Sequence, residues 1–114
     1  MITLEKIRAL CKTLPGTTEG TSYGTPGFRV AKKLFARLHG KEDAIVLILN
    51  TVQEQQDLIA SDPMSFYITD HYEGYAAILV RPTADDDAFF ELLELAWRRV
   101  ARKRDISEYD SQSA

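Results

Sequence analysis

The hydrophobic positions at the start of the chain recur every three or four residues, which is the spacing of one face of an α-helix. They include Leu4, Ile7 and Leu14. Thr3 occupies the N-cap position before this run, and a Pro-Gly pair at 15–16 stands where the helix is expected to end. The pattern therefore predicts a first helix that begins after Thr3.

Shorter apolar runs of strand length replace this pattern between residues 28 and 49. Three such runs are separated by polar turns at Lys32-Lys33 and at 40–43, as in an antiparallel meander. The segment 17–27 holds three glycines and one proline. Such a segment is predicted as an ordered loop that leads into the first strand.

A second helix and a second pair of strands follow the meander. Thr51 and Glu54 form a capping box, which predicts a helix from about Val52 to Ser61. Two more strand-like runs, at 66–69 and 76–81, then flank a polar loop.

The last helix is predicted from its charges as well as from its apolar stripe. Its N-cap is Thr83 or Asp85, aspartates fill its first turn, and basic residues from Arg98 onward stand at its end. The negative charges thus lie near the positive N-terminal end of the helix dipole, and the positive charges lie near its negative C-terminal end. Residues 105–114 are polar, and we predict a disordered C-terminal tail there.

The order of elements, α-β-β-β-α-β-β-α, predicts the fold class. Hairpins with segregated helices are typical of an α+β two-layer sandwich, here a five-stranded antiparallel sheet with helices on one face. A chain of 114 residues suits one such domain, which we place at residues 1–104.

The composition indicates the cellular compartment in which the protein is expected. The chain has one cysteine, Cys11, no basic-then-apolar leader and no apolar run near the ~20 residues that span a bilayer. We therefore expect a cytoplasmic protein that does not bind membranes.

Two stretches of the chain resemble a known family. The first is residues 14–30, where Leu-Pro-Gly-Thr-Thr-Glu-Gly-Thr-Ser-Tyr-Gly-Thr-Pro leads into Phe-Arg-Val, and the second is residues 62–81, with Asp-Pro, His-Tyr, Gly-Tyr and Val-Arg pairs. With this spacing the chain resembles the MmcQ/YjbR-like family over about residues 5–104. The resemblance implies a fold like that of type III secretion chaperones and a DNA-binding role through a double-winged arrangement. It supplies no catalytic residues to place on this chain.

The charge balance first argues against a partner such as DNA. The net charge is -3 and the pI is near 5.3, whereas a uniformly basic nucleic-acid-binding domain has a pI above ~9. The charge is unevenly distributed, however: residues 1–41 carry +6, residues 42–97 carry -11 and residues 98–104 carry +5. The question is whether folding separates these charges or lets them cancel.

A candidate nucleic-acid-binding face lies on the first predicted hairpin. The strand alternation places Arg29 and Arg37 on the sheet face opposite Phe28, Val30, Leu34 and Leu38. Bases can stack on nearby aromatic rings while guanidinium groups contact phosphates. The residues predicted for this face are Arg29, Lys32, Lys33, Arg37, Arg81, Tyr23, Tyr72 and Tyr75.

A structural interpretation of the same residues stays open. Charged hairpin tips commonly protect sheet edges, the arginines could pair with carboxylates of the acidic half, and the tyrosines could cover the core. Helix stabilisation could likewise explain the basic run 98–104, because Glu94 precedes Arg98 by four residues.

Two further functions are alternatives. A protein-interaction or chaperone-like module, binding a partner or a second copy, would expose Phe35, Tyr67 and Ile78 as one apolar patch of the open sheet face. A small-molecule site lined by Tyr23, His71 and Tyr75 would need a deep cleft around His71.

Catalytic and cofactor chemistry are not predicted. His71 is the only general acid/base candidate, no nucleophile accompanies it, and Cys11 falls on the apolar face of the first helix. His39 and His71 lack zinc-site spacing, and the glycines match neither phosphate-binding loop pattern. We therefore predict a non-enzymatic binding protein without metal or cofactor.

Overall fold

The structure is a computed structural model that describes residues 1–113, with side chains described as far as Gln112. It confirms the α+β class, with one antiparallel sheet in the order β1-β2-β3-β4-β6-β5. The strands are β1 Thr18–Ser22, β2 Thr25–Val30, β3 Lys33–Leu38, β4 Ile45–Ile48, β5 Phe66–Tyr67 and β6 Ala77–Val80. The helices are α1 Leu4–Cys11, α2 Val52–Ser61, α3 Asp86–Val100 and α4 Lys103–Ser113, with a short 3-10 helix at Asp70–Tyr72.

The sheet has one strand more than predicted, because β1 replaces part of the expected loop 17–27. Four of its five residues are exposed, so it shows no apolar alternation that a sequence pattern could reveal. It forms by pairing with β2 through the two-residue turn Tyr23-Gly24, whose φ angles are 52° and 80°. Two successive positive φ angles are typical of the type I′ turn that suits a twisted hairpin.

A bulge in β3 changes which side chains share a face. Phe28 pairs with Ala36, but the next residue, Arg29, pairs with Leu34, so Phe35 is the extra residue. Leu34 therefore lies on the face of Arg29, and the prediction that placed it on the opposite face is wrong.

The predicted helix starts are confirmed by their caps. The side chains of Thr3, Thr51 and Asp85 each accept a backbone N–H from the first turn of their helix, at 3.2, 3.1 and 2.9 Å. Asp85, rather than Thr83, is thus the cap of α3. The predicted bounds of α2 are those that the structure has.

Helices cover one face of the sheet, where the larger core lies. Trp97, Leu93 and Phe89 of α3 pack there against Phe35 and other buried strand residues. A smaller core on the opposite face joins Val46 and Leu79 to Tyr72. The open part of that second face, over β1–β3, is where the candidate site lies.

The predicted disordered tail is wrong for residues 105–113, which belong to α4. Ile106 and Tyr109 pack on the larger core, and the Tyr109 ring lies 5.3 Å from that of Trp97. Asp105 is 6% exposed and accepts a hydrogen bond from Arg102 at 2.8 Å. Two apolar residues in a polar segment are too weak a pattern to predict this packing. Ala114 lies outside the described residues.

No helix within residues 1–113 is long and apolar enough to cross a membrane. In the same part of the chain, the structure brings together no group of three or more His, Cys, Asp or Glu side chains that could hold a metal ion.

Candidate nucleic-acid interface

Glycines form the floor of the open face over β1–β3. Gly20 and Gly27 are cross-strand partners, and a Cβ on Gly27 would lie 2.8 Å from Cβ of Ser22 and 3.2 Å from Cδ1 of Leu34. The Nη1 atom of Arg29 lies 3.9 and 3.7 Å from the Cβ positions that Gly20 and Gly27 lack. The guanidinium of Arg29 therefore lies directly over a floor of backbone.

Arg37, one strand farther into the sheet, is held by several contacts. Its Nη2 donates a hydrogen bond to the Tyr72 hydroxyl, and its Nη1 donates to the Leu38 carbonyl at 3.2 Å. The centre of its guanidinium lies 5.3 Å from the centroid of the Tyr23 ring, within the range of a cation–π contact. These contacts fix the charge of Arg37 between two tyrosines.

The two tyrosines differ in exposure. Tyr23, at the β1–β2 turn, is 89% exposed, so its ring is open to a ligand. Tyr72 is 7% exposed and packs in the smaller core. The prediction that Tyr72 offers a stacking surface is wrong: burial against Val46 and Leu79 leaves it a positioning role, through its hydroxyl.

A buried glutamine that the sequence analysis missed supports this arrangement. Gln55 of α2 is 1% exposed, and its side-chain amide donates to the carbonyls of Tyr72, Tyr75 and Ala77 at 3.2, 2.8 and 2.8 Å. It thereby fixes the loop that carries Tyr72. Its signal in the sequence is its position: it lies between Val52 and Leu58 at helical spacing, on the stripe where an apolar residue is expected.

His71 and Tyr75 extend the aromatic surface beside Tyr72. The His71 ring lies 5.2 Å from Tyr72, edge-on, and 6.3 Å from Tyr75, nearly parallel to it. Tyr75 is 63% exposed. None of the four clefts that we describe within residues 1–112 is lined by Tyr23, His71 or Tyr75. These four clefts therefore give no support to the small-molecule alternative at these residues.

The β2–β3 hairpin tip carries the two lysines. Lys32 and Lys33 are exposed, and the turn residues Ala31 and Lys32 have φ angles of 51° and 68°. Among the described residues, Arg29, Lys32, Lys33 and Arg37 form no salt bridge with any carboxylate. They are thus not paired directly with carboxylates of the acidic half of the chain.

The structure does not bring Arg81 to this group. Its guanidinium lies 4.1 Å from the centroid of the Tyr67 ring and donates to the carbonyls of Pro63 and Met64 at 3.1 and 3.3 Å. Tyr67 in turn donates to Glu42 at 2.9 Å. Arg81 therefore stabilises the β5–β6 end of the sheet.

His39 follows β3 and anchors the loop that leads to β4. Its Nδ1 accepts the backbone N–H groups of Lys41 and Glu42 at 3.0 and 2.9 Å. Burial, together with the positive charge of Arg37, lowers the pKa of His39 below its ordinary value. Its neutral form is therefore the structural one.

The burial of individual side chains decides two other questions, the exposed apolar patch and the reactivity of the cysteine. Phe35 and Ile78 are fully buried in the larger core and Tyr67 is only half-buried, so they form no exposed apolar patch. Cys11 is buried, and burial raises the pKa of its thiol to about 12, which leaves it unreactive.

Comparison with known proteins agrees with the fold described above. A family model described as YjbR matches residues 12–99, which is more than half of the chain. The crystal structure of the Deinococcus radiodurans protein DR2400, a DUF419 domain, is similar with a TM-score of 0.76 and 19% identity, over 96% of this chain and 89% of that chain. No curated protein has a significant match. At this identity the structural likeness shows the fold, and the family model shows membership: the chain belongs to the YjbR family.

Proposed function

We propose that this protein is a non-enzymatic, cytoplasmic binding protein that contacts nucleic acid, and DNA in particular, through the open face of β1–β3. The observation that carries the proposal is a set of cations without carboxylate partners among the described residues, on the face and tip of the β2–β3 hairpin beside an exposed ring. We call this set the hairpin patch; it comprises Tyr23, Arg29, Lys32, Lys33 and Arg37.

Each member of the hairpin patch has a distinct part in binding. Arg29 and Arg37 lie on the same sheet face, on neighbouring strands. Lys33 pairs with Val30, so the bulge leaves it on the other face, where it is exposed beside Lys32 at the hairpin tip. The two arginines and the two lysines can contact a phosphate backbone from the face and the tip of one hairpin, while the ring of Tyr23 offers a face for stacking.

The supporting electrostatic argument is local rather than global. A net charge of -3 would repel a polyanion at a distance, but charges beyond about a Debye length, ~10 Å at 0.1 M salt, are screened. Binding is therefore expected at low to moderate salt, with a steep loss as salt rises.

The test is a fluorescence anisotropy titration of duplex and single-stranded oligonucleotides at two salt concentrations. Four phosphate contacts predict a log-log slope of about -3.6 on duplex DNA. The double variant K32E/K33E should lower both the affinity and the slope. The matched control is K103E/R104E, which makes the same charge change at two exposed residues of α4.

Absence of binding at micromolar protein and low salt would remove the proposal. Equal losses in K32E/K33E and in the control K103E/R104E would show that only the total charge matters, and would contradict the assignment to the hairpin patch. A further variant, Tyr23→Ala, should weaken single-strand binding more than duplex binding, since only unpaired bases can stack on this ring.

A further inference from the structure

Strand β1 forms an edge of the sheet, and among the described residues it pairs with β2 only. Proteins usually protect such an edge by keeping it short or by placing Lys or Pro on it. The strand at the opposite edge, β5, has two residues, whereas β1 has five and contains neither Lys nor Pro. The one charged side chain of β1, Glu19, is paired with Arg8 at 2.7 Å. The edge of β1 is therefore open to another strand.

The hydrogen-bond pattern of the β1–β2 hairpin decides which backbone groups of β1 face outward. The two-residue turn makes Ser22 and Thr25 a hydrogen-bonded pair, and bonded and non-bonded pairs alternate from there. Thr21 lies opposite Pro26, and a residue without an N–H agrees with a non-bonded pair at this position. The N–H and C=O groups of Thr21 and Glu19 therefore point away from β2, and no backbone group of the described residues bonds them.

These outward groups are complementary to themselves under a two-fold axis. If a second β1 lies antiparallel, with Gly20 opposite Gly20 of the second copy, Glu19 lies opposite Thr21 of that copy and Thr21 opposite its Glu19. Each of these pairs exchanges both N–H···O bonds, so every outward group gains a partner. The side chains also fit, because Glu19 meets a threonine and Thr18 meets Ser22, and no like charges lie directly opposite each other.

From this register we infer that β1 pairs antiparallel with β1 of a second copy of this chain, across a two-fold axis at Gly20. The two six-stranded sheets then join into one. The two Arg29 residues lie three strand spacings apart and four residues out of step, roughly 20 Å, so their repulsion is screened at ~0.1 M salt. The contact buries little apolar surface, so the dimer is weak and forms at high protein concentration.

The pairing brings two hairpin patches onto one continuous open face. The β1 residues that share the face of Arg29 are Thr18, Gly20 and Ser22, whose side chains are small. A ligand longer than one hairpin can therefore contact the cations of both copies, and contact with both raises its affinity through effective concentration. This consequence rests on the proposed function, whereas the pairing of the two strands does not.

The test is oxidative cross-linking of Gly20→Cys at about 0.5 mM protein, with oxidised glutathione and without nucleic acid. On the axis Gly20 forms a non-bonded pair with its own copy, with Cα atoms about 4.5 Å apart, within the range of a disulfide. A Cβ at Gly20 lies 3.9 Å from Nη1 of Arg29, which is an ordinary contact, so the fold should tolerate it. The chain's own thiol, Cys11, is buried.

The matched control is Thr18→Cys, on the same strand and face and directly opposite Arg29. In the inferred register the two copies of residue 18 lie about 14 Å apart, beyond the ~7 Å over which a disulfide can form. Gly20→Cys should therefore form a disulfide-linked dimer at least about tenfold faster than Thr18→Cys. Equal rates, or no linked dimer from Gly20→Cys, would overturn the inferred register.

Sedimentation of the unaltered chain keeps the inference testable if Gly20→Cys does not fold. The average mass should rise above that of the monomer as the protein concentration increases. Thr21→Pro should abolish this rise, because it removes an outward N–H that the monomer does not use in its own ladder. Thr21→Val, which keeps the N–H, should associate like the unaltered chain.

Two results of the sedimentation experiment would contradict the inference. One is an unaltered chain that stays monomeric at about 1 mM, since the edge would then be left for a strand of a different protein. The other is a Thr21→Pro variant that associates as strongly as Thr21→Val. Because these samples contain no nucleic acid, failure of the strand pairing and failure of DNA binding are observed separately.

Discussion

Two regions of this chain are basic in sequence, the β2–β3 hairpin and the end of α3 with the start of α4, but only the second has arginines in ion pairs. At the helix end, Arg98 pairs with Glu94 and Asp110, and Arg102 pairs with Asp105. On the hairpins, Arg29 and Arg37 form no salt bridge with the described carboxylates. A count of charges along a sequence therefore does not reveal which ones remain available.

The secondary structure explains the difference. In a helix, residues three and four apart are neighbours, so Glu94 and Asp105 meet arginines of their own segment. In the sheet, the neighbours of an arginine are set by register. Arg37 lies between Gly27 and Val46, and neither can neutralise it. Local acids pair with Arg98 and Arg102 at the helix end, whereas the register leaves Arg29 and Arg37 without such partners.

Replacement of Gln55 by leucine should have the largest effect, and it tests how the hairpin side is held in place. The variant removes the side-chain donor shared by three carbonyls, two of which keep a backbone N–H, and should lower the free energy of unfolding by about 3 kcal/mol. Urea unfolding followed by the fluorescence of buried Trp97 measures this. The exposed neighbour Gln56→Leu is the control, and equal losses in both variants would show that the amide network has no special part.

The sequence predicted the elements whose signals are local. Capping residues Thr3, Thr51 and Asp85 mark helix starts because a cap requires only a few consecutive residues. The apolar stripe of α3 was predicted for the same reason. Strand β1 and helix α4 were missed because their stability comes from a partner: β2 in one case, and the core residue Trp97 in the other.

The candidate site was predicted only in part, again for a physical reason. The charges of Arg29 and Arg37 and their shared face follow from alternation along the strands. The burial of Tyr72 and the support from Gln55 depend on contacts between residues 17 or more positions apart. Such contacts leave no periodic signal, so the difference between the exposed Tyr23 and the buried Tyr72 required the structure.

A glycine substitution tests the packing of the helix end. Gly16 has a φ of 77°, and a Cβ there would lie 3.0 Å from the buried carboxyl of Asp105. Gly24 has a φ of 80° but no neighbour within 4 Å. Gly16→Ala should therefore cost about 2–3 kcal/mol of stability, and Gly24→Ala about 1 kcal/mol, the strain of the backbone alone. The measurement is again urea unfolding. Equal losses of stability would mean that the packing of the Asp105 carboxyl against Gly16 does not stabilise α4.

The β2–β3 turn allows stability and binding to be changed in opposite directions. Ala31 and Lys32 both have positive φ, where asparagine and glycine are preferred. The variant A31N/K32G should raise the free energy of unfolding by about 1 kcal/mol. It should also weaken DNA binding and reduce the salt slope by about 0.9, one phosphate contact. Ala31→Asn alone, which keeps the lysine, should stabilise the protein and leave binding unchanged. A loss of binding in that control would assign the effect to the turn's shape instead of the charge.

The smallest expected effect is a difference between the two regions in how their stability depends on pH. The lowered pKa of His39 means that the folded state favours the neutral imidazole. Its contribution to folding stability is therefore present above about pH 6.5, the ordinary pKa, and is lost as the pH falls through the lowered pKa. The helix-end carboxylates of Asp105 and Asp110 have their pKa values lowered by arginines, so they stay ionised between pH 7 and 5. In that window, acid should destabilise the hairpin side and spare the ion pairs.

The test compares the unfolding free energies of the protein and of His39→Asn, whose amide oxygen can still accept a backbone N–H. The decline between pH 7 and 5 should be smaller in the variant. The same decline in both proteins would mean that protonation of His39 does not cause the loss of stability in acid. The two regions would then differ only in how their charges are paired.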